Sequence, residues 1–136
     1  MNVPSPVAFV ARLLLALMFI VAGLSKFGDL AGTAGYIASK GLPLPSVVAL
    51  LTAVFEVVGG VALVVGYQAR YVALAMALFT LAASVLFHDF WAMPADKQFV
   101  QQLMFMKNLS VAGGLLLVFA LGAGPASLDA RRLAKA

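Results

Sequence analysis

Six side chains hold most of the chemistry open to this chain: Arg12, Lys26, Glu56, His88, Lys107 and Asn108. Glu56 and Lys107 each interrupt a long apolar run, VVALLTAVFEVVGGVALVVG and FVQQLMFMKNLSVAGGLLLVFAL. A lone charge at the centre of a bilayer costs at least about 2.5–3.5 kcal/mol. An ion pair between Glu56 and Lys107 is therefore expected, with Arg12 as the rival partner for Glu56. Asn108 and Thr52 are placed to satisfy the remaining lone pairs. Such a pair has two uses. One is structural, fixing helix register without chemistry. The other is a site for a polar head group, a proton path or a quinone carbonyl.

His88 is the only histidine, and one histidine cannot build a zinc or copper site unaided. It reads as a polar interfacial residue, or else as a proton donor or acceptor beside a ligand. The chain has no cysteine, which excludes disulfide frameworks, thiolate-bound metals and any thiol relay. No Walker A loop, nucleophile elbow, G-x-G-x-x-G or H-E-x-x-H is present. No metal site and no catalytic residue is assigned.

The elements that must position these groups follow from composition. Of 136 residues, 64% are hydrophobic and 10% charged, against about 45–50% and about 25% in soluble domains. That excludes both a soluble globular domain and a disordered chain. Four stretches are long and apolar enough to span a bilayer, at about residues 7–27, 47–66, 71–87 and 99–121. The reading is all-α: an integral-membrane antiparallel four-helix bundle, one transmembrane domain over 1–136 with a basic cytoplasmic tail at 122–136. The start of the chain lacks a basic n-region and an A-x-A-like site, and is read as an uncleaved first span. Asp29–Lys40, ended by Gly41, Pro43 and Pro45, predicts a short interfacial helix between spans 1 and 2, lying over the bundle mouth as a lid. The net charge is +4, but the basic residues are scattered, so nucleic acid is not expected. The LDARRLAKA tail places both termini in the cytoplasm.

Helical spacing predicts one polar-and-small face on each span. These are Arg12, Ala16, Phe19, Gly23 and Lys26; Thr52, Glu56, Gly59 and Leu63; Ala73, Ala77, Thr80, Ser84 and His88; and Leu103, Lys107, Ser110 and Gly114. Facing inward, they form a polar seam, with Leu, Val and Phe toward lipid.

The ordered series of motifs resembles the DoxX family of small bacterial membrane proteins. It runs from Arg12-Leu13-Leu14 through Ala22-Gly23-Leu24-Ser25-Lys26, Gly41-Leu42-Pro43, Glu56-Val57-Val58-Gly59-Gly60 and Phe87-His88-Asp89-Phe90-Trp91. Lys107-Asn108, Gly113-Gly114 and Ser127-Leu128-Asp129 complete it. The resemblance implies a four-helix protein of the bacterial cytoplasmic (inner) membrane. It also implies a link to quinone handling, since the family includes the small subunit of a thiosulfate:quinone oxidoreductase. Without cysteine, any redox centre must come from a partner protein. The expectation is an accessory membrane component binding a quinone-like or amphipathic molecule in a seam lined by Arg12, Lys26, Glu56, His88, Lys107 and Asn108. The alternatives are a small-solute transporter or channel acting as a homo-oligomer, and a purely structural, partner-binding bundle.

Overall fold

The computed structural model describes residues 4–135. Helix α1 (Ser5–Gly28) opens with proline in its first turn, where a missing N–H costs nothing. Helix α2 (Leu30–Ser39) starts at Asp29, whose Oδ1 accepts the Gly32 N–H at 2.8 Å. The Gly41 φ of 75° lets the chain turn away after it. Helix α3 (Pro45–Val65) again begins on proline and ends at Gly66, φ 66°. Helix α4 (Ala69–Phe87) follows at once. A single 3₁₀ turn, Phe90–Ala92, precedes α5 (Ala95–Leu121), and a short α6 (Leu128–Leu133) closes the chain. Among the described residues, four helices are thus long and apolar enough to cross a membrane, and the short helix expected between the first two is present.

Two helix pairs carry most of the packing: α1 lies along α3, and α4 along α5. Small residues set the first contact. At Gly23 an added Cβ would stand 2.7 Å from Val57 Cγ2 and 2.8 Å from the Ala53 carbonyl oxygen, while at Gly60 it would meet Ile20 at 2.6 Å. The carbonyl at Gly23 belongs to a helix backbone and cannot swing aside. Gly23→Ala is therefore expected to lower stability by about 1–3 kcal/mol. Thermal unfolding in detergent measures this, and an unchanged midpoint would refute the close approach of α1 and α3.

The core is Ala16, Phe19, Leu63, Ala73, Met76, Ala77 and Leu115. Leu14, Leu17, Val21, Leu24, Val58, Leu78 and Leu117 point outward, as residues facing lipid do. The predicted faces of the first three spans coincide with the buried positions of α1, α3 and α4, although Lys26, Thr52 and His88 are only half-buried. The predicted α5 face is corrected. Leu103, Lys107 and Ser110 are exposed, and the buried residues are Asn108, Ala112 and Leu115. Seeding the stripe on the charge rather than on the adjacent amide rotated it by one position, about 100° of helix.

The segment after α5 folds back rather than trailing away. Ser127 caps α6, and Asp129 receives the N–H groups of Gln68 and Ala69, both at 2.8 Å. That carboxylate satisfies free donors at the start of α4 and complements its dipole. The basic tail is thus tied to the α3–α4 turn.

Candidate functional site

Glu56 has neither of the partners expected from the sequence. Its carboxylate is held by Lys26, whose Nζ donates to Oε1 at 3.0 Å and to Oε2 at 2.7 Å. The reason is the α1–α3 contact. Gly23 seats α1 against Ala53 and Glu56, and Lys26, one turn further on, reaches the carboxylate. Helix α5 packs on α4 rather than on α3. Lys107 accordingly makes no ion pair among the described residues, and its Nζ lies 3.7 Å from Met104 Sδ. The Glu56 side chain is 8% exposed and that of Lys26 28%, so the carboxylate is largely withdrawn from the surroundings and the ammonium partly so.

Arg12 is the second correction. It is buried at 2% exposure but belongs to the far end of the molecule. Its Nε donates to the Leu63 carbonyl at 3.1 Å, and Nη2 to those of Val64 and Ala126 at 3.4 and 2.8 Å. Nη1 donates to Ala123. The guanidinium thus donates to the last carbonyls of α3, Leu63 sharing its oxygen with the Gly66 N–H, and fastens the segment after α5 to that helix end. A helix C-terminus favours a cation in this position. It plays no part in lining the space around Glu56.

The other five candidates do share a space. Lys26, Glu56, His88, Lys107 and Asn108 line one cavity of about 500 Å³, within the range of small-molecule pockets. Thr52 and Thr80 add hydroxyls, and Met18, Phe19, Phe79 and Phe87 supply apolar wall. Helix α2 contributes Gly32, Thr33, Tyr36 and Ile37 to the same lining. These α2 residues were not among the sequence candidates. Their signal was available in the polar positions Thr33 and Tyr36 of the helix expected as a lid.

The α2 helix is held at two points. The Tyr36 hydroxyl donates to the Phe87 carbonyl at 2.9 Å, and Lys40 Nζ meets Asp89 Oδ1 at 2.5 Å. His88 Nδ1 is 2.8 Å from Gln101 Oε1, which joins the end of α4 to α5. The hydrogen bond from Lys40 holds the Asp89 carboxyl below its ordinary value of 3.8. A lowered carboxylate pKa gives a stabilisation that is complete above the ordinary value and lost as pH falls through the lowered one. Anchoring of α2 should thus be constant from neutral pH down to about pH 5 and fail only in stronger acid. Asp89→Asn should loosen α2 at every pH. Hydrogen exchange of the α2 amides reads both, and equal protection in wild type and variant at pH 7 would refute the latch.

Chemically, the cavity offers a neutralised lysine–carboxylate pair, a second ammonium, an amide, two threonine hydroxyls and an imidazole against aromatic walls. It can orient a polar head bearing carbonyl or anionic oxygens. No group of three or more histidine or acidic residues suited to a metal occurs among the described residues.

A family model described as DoxX matches residues 7–89. Inner membrane protein YqjF of Escherichia coli strain K12 is 42% identical over 123 residues, covering 88% of this chain and 87% of that protein. Inner membrane protein YphA of the same organism is 36% identical over 122 residues, covering 90% and 87%. The ER-derived vesicles protein ERV29 of Saccharomyces cerevisiae is 26% identical over 124 residues, which are 91% of this chain but 33% of that protein. No solved structure matches. With four membrane-spanning helices, a family model matched over more than half its length and two relatives aligned nearly end to end, the chain belongs to the DoxX family.

Proposed function

We propose that this protein is an accessory, ligand-binding component of a membrane redox system, and that the cavity beneath α2 receives the polar head of a quinone or a similar amphipathic molecule. The observation that carries this reading is convergence. Charged and polar side chains from α1, α3, α4, α5 and the loop after α4 line one cavity of a largely apolar molecule. Polar groups in a membrane interior are expensive and mark ligand or proton pathways.

The donor set fits a quinone. Lys107 and Asn108 can donate to a ring carbonyl, and Phe79 and Phe87 offer aromatic surface to the ring. A quinone would supply two-electron redox chemistry. This chain's own residues bind it, orient it and keep water out. The Lys26–Glu56 pair fixes the local charge, and the latched α2 closes the cavity mouth. With no cysteine in the sequence, thiol chemistry falls to a partner protein, and we place the redox centre there. By analogy with the two inner membrane proteins of E. coli, the bacterial inner membrane is the proposed location. One transmembrane domain with both termini in the cytoplasm is the proposed arrangement.

Equilibrium binding of decyl-ubiquinone to the detergent-solubilised protein tests the reading. One saturable site per chain is expected, with binding weakened at least tenfold in Ala83→Trp, which fills the cavity from α4. Absence of saturable binding, or full binding in that variant, would overturn it. Ion or solute flux through protein reconstituted in vesicles, with no probe bound, would favour a transporter instead.

A further inference from the structure

The opposite end of the molecule holds a second cavity, also about 500 Å³, lined by Arg70, Tyr71, Leu121, Asp129, Arg132 and Leu133 among others. Its two guanidinium groups are already positioned. Arg70 Nη1 donates to the carbonyls of Phe119 and Ala120 at 3.1 and 2.9 Å, so the last turn of α5 holds the side chain. Its Nε and Nη2 have no hydrogen-bond partner among the described residues. Arg132 lies over the Tyr67 ring, 5.4 Å from the centroid, and makes no ion pair among the described residues. The single carboxylate in the lining, Asp129, spends both oxygens on the N–H groups of Gln68 and Ala69. The cavity is therefore cationic, with unused donors.

Tyr71 also begins an apolar groove of about 860 Å³ between α3 and α4, which passes Val58, Ala62 and Ala75 to reach Phe55 and Phe79. From Tyr71 to Phe79 the groove follows the helix for about 12 Å at 1.5 Å per residue. It runs in the direction an acyl chain takes in a bilayer, starting from the level where tyrosines mark the interface.

We propose that this end binds an anionic glycerophospholipid, its phosphate between Arg70 and Arg132 and one acyl chain in the α3–α4 groove. Guanidinium forks match phosphate oxygens geometrically as well as electrostatically. Free phosphate shares the head-group chemistry but gives no reason for the groove. The phosphate site lies at the opposite end from the cavity beneath α2, and the acyl groove meets that cavity only at its far end, where Thr52 and Phe79 line both.

Native mass spectrometry of the purified full chain, mixed with equal amounts of phosphatidylglycerol and phosphatidylcholine, tests this. Phosphatidylglycerol adducts are expected to dominate. Arg132→Gln, which touches no backbone bond, should cut that preference about fivefold, the equivalent of about 1 kcal/mol per basic residue at a charged membrane surface. Ala75→Trp, on the exposed side of α4 in the groove, should lower phosphatidylglycerol retention without altering the fold. Equal retention of the two lipids, or an unchanged preference in Arg132→Gln, would overturn the site. Displacement by excess inorganic phosphate, together with full retention in Ala75→Trp, would overturn the lipid in favour of a free anion.

Discussion

Arg12→Ala should be one of the two most destabilising single substitutions in this protein. The side chain donates to four carbonyls, those of Leu63, Val64, Ala123 and Ala126, from a position that is 2% exposed. Leu63 keeps the Gly66 N–H, but the carbonyls of Val64, Ala123 and Ala126 lose their donor, and each buried carbonyl so stranded costs about 1–3 kcal/mol. Even with water reaching some of them, the total is on the order of 4 kcal/mol. Arg12→Lys should recover only part, because one ammonium cannot span acceptors on both α3 and the segment after α5. The loss has a second signature. Freed from Arg12, the segment bearing Arg131 and Arg132 should become an early tryptic target. Thermal unfolding in detergent and limited trypsin digestion measure the two effects. A variant that melts like wild type and keeps its tail protected would contradict the anchoring role.

The second large effect concerns Lys26 and Glu56, and there the single and double variants should diverge. Lys26→Met strands a carboxylate that is 8% exposed, and removing one partner of a buried pair costs about 3–5 kcal/mol. Lys26→Met combined with Glu56→Met removes both charges and leaves apolar side chains of comparable size. Such replacements are often neutral or stabilising by about 1–4 kcal/mol, so the double variant should fold as well as wild type. Its affinity for decyl-ubiquinone should nevertheless fall at least tenfold. A stable double variant with undiminished binding would reduce the pair to a packing device. Glu56→Gln should be intermediate, since the amide still accepts from Lys26 but no longer neutralises it.

The architecture was legible because membrane helices write themselves in length and composition, and because caps are local. Asp29, Gly41, Pro45 and Gly66 bound their helices where residue type alone places a boundary. The inward faces of α1, α3 and α4 were legible from the spacing of small and polar residues. Periodicity, however, says which residues share a face and not which helix lies across from it. Two consequences followed. Lys26 has Asp29 close by in sequence, but the Asp29 carboxylate is occupied by the Gly32 N–H, leaving Lys26 to α3. Lys107 has no carboxylate opposite it because α5 lies on α4.

Arg12 was misplaced for a related reason. Its spacing put it correctly on the buried face, but burial near a helix end can be met by backbone carbonyls instead of a counter-ion. Those carbonyls come from residues more than fifty positions away. The Lys40–Asp89 latch and the Asp129 cap on α4 are likewise long-range pairings between loops, with no periodic signal. What the sequence held at the candidate site was the set of reactive side chains; what it lacked was their pairing.

Solid-state NMR of the protein in lipid bilayers can observe that pairing directly, through the dipolar coupling between the Lys26 side-chain nitrogen and the Glu56 carboxylate carbon. A strong coupling is expected, as N···O distances of 2.7 and 3.0 Å require, together with a shift of the Lys26 signal when decyl-ubiquinone is added. A Glu56 carboxylate coupled to Lys107 instead, or a Lys26 signal indifferent to the probe, would contradict both the geometry of the cavity and the role proposed for it.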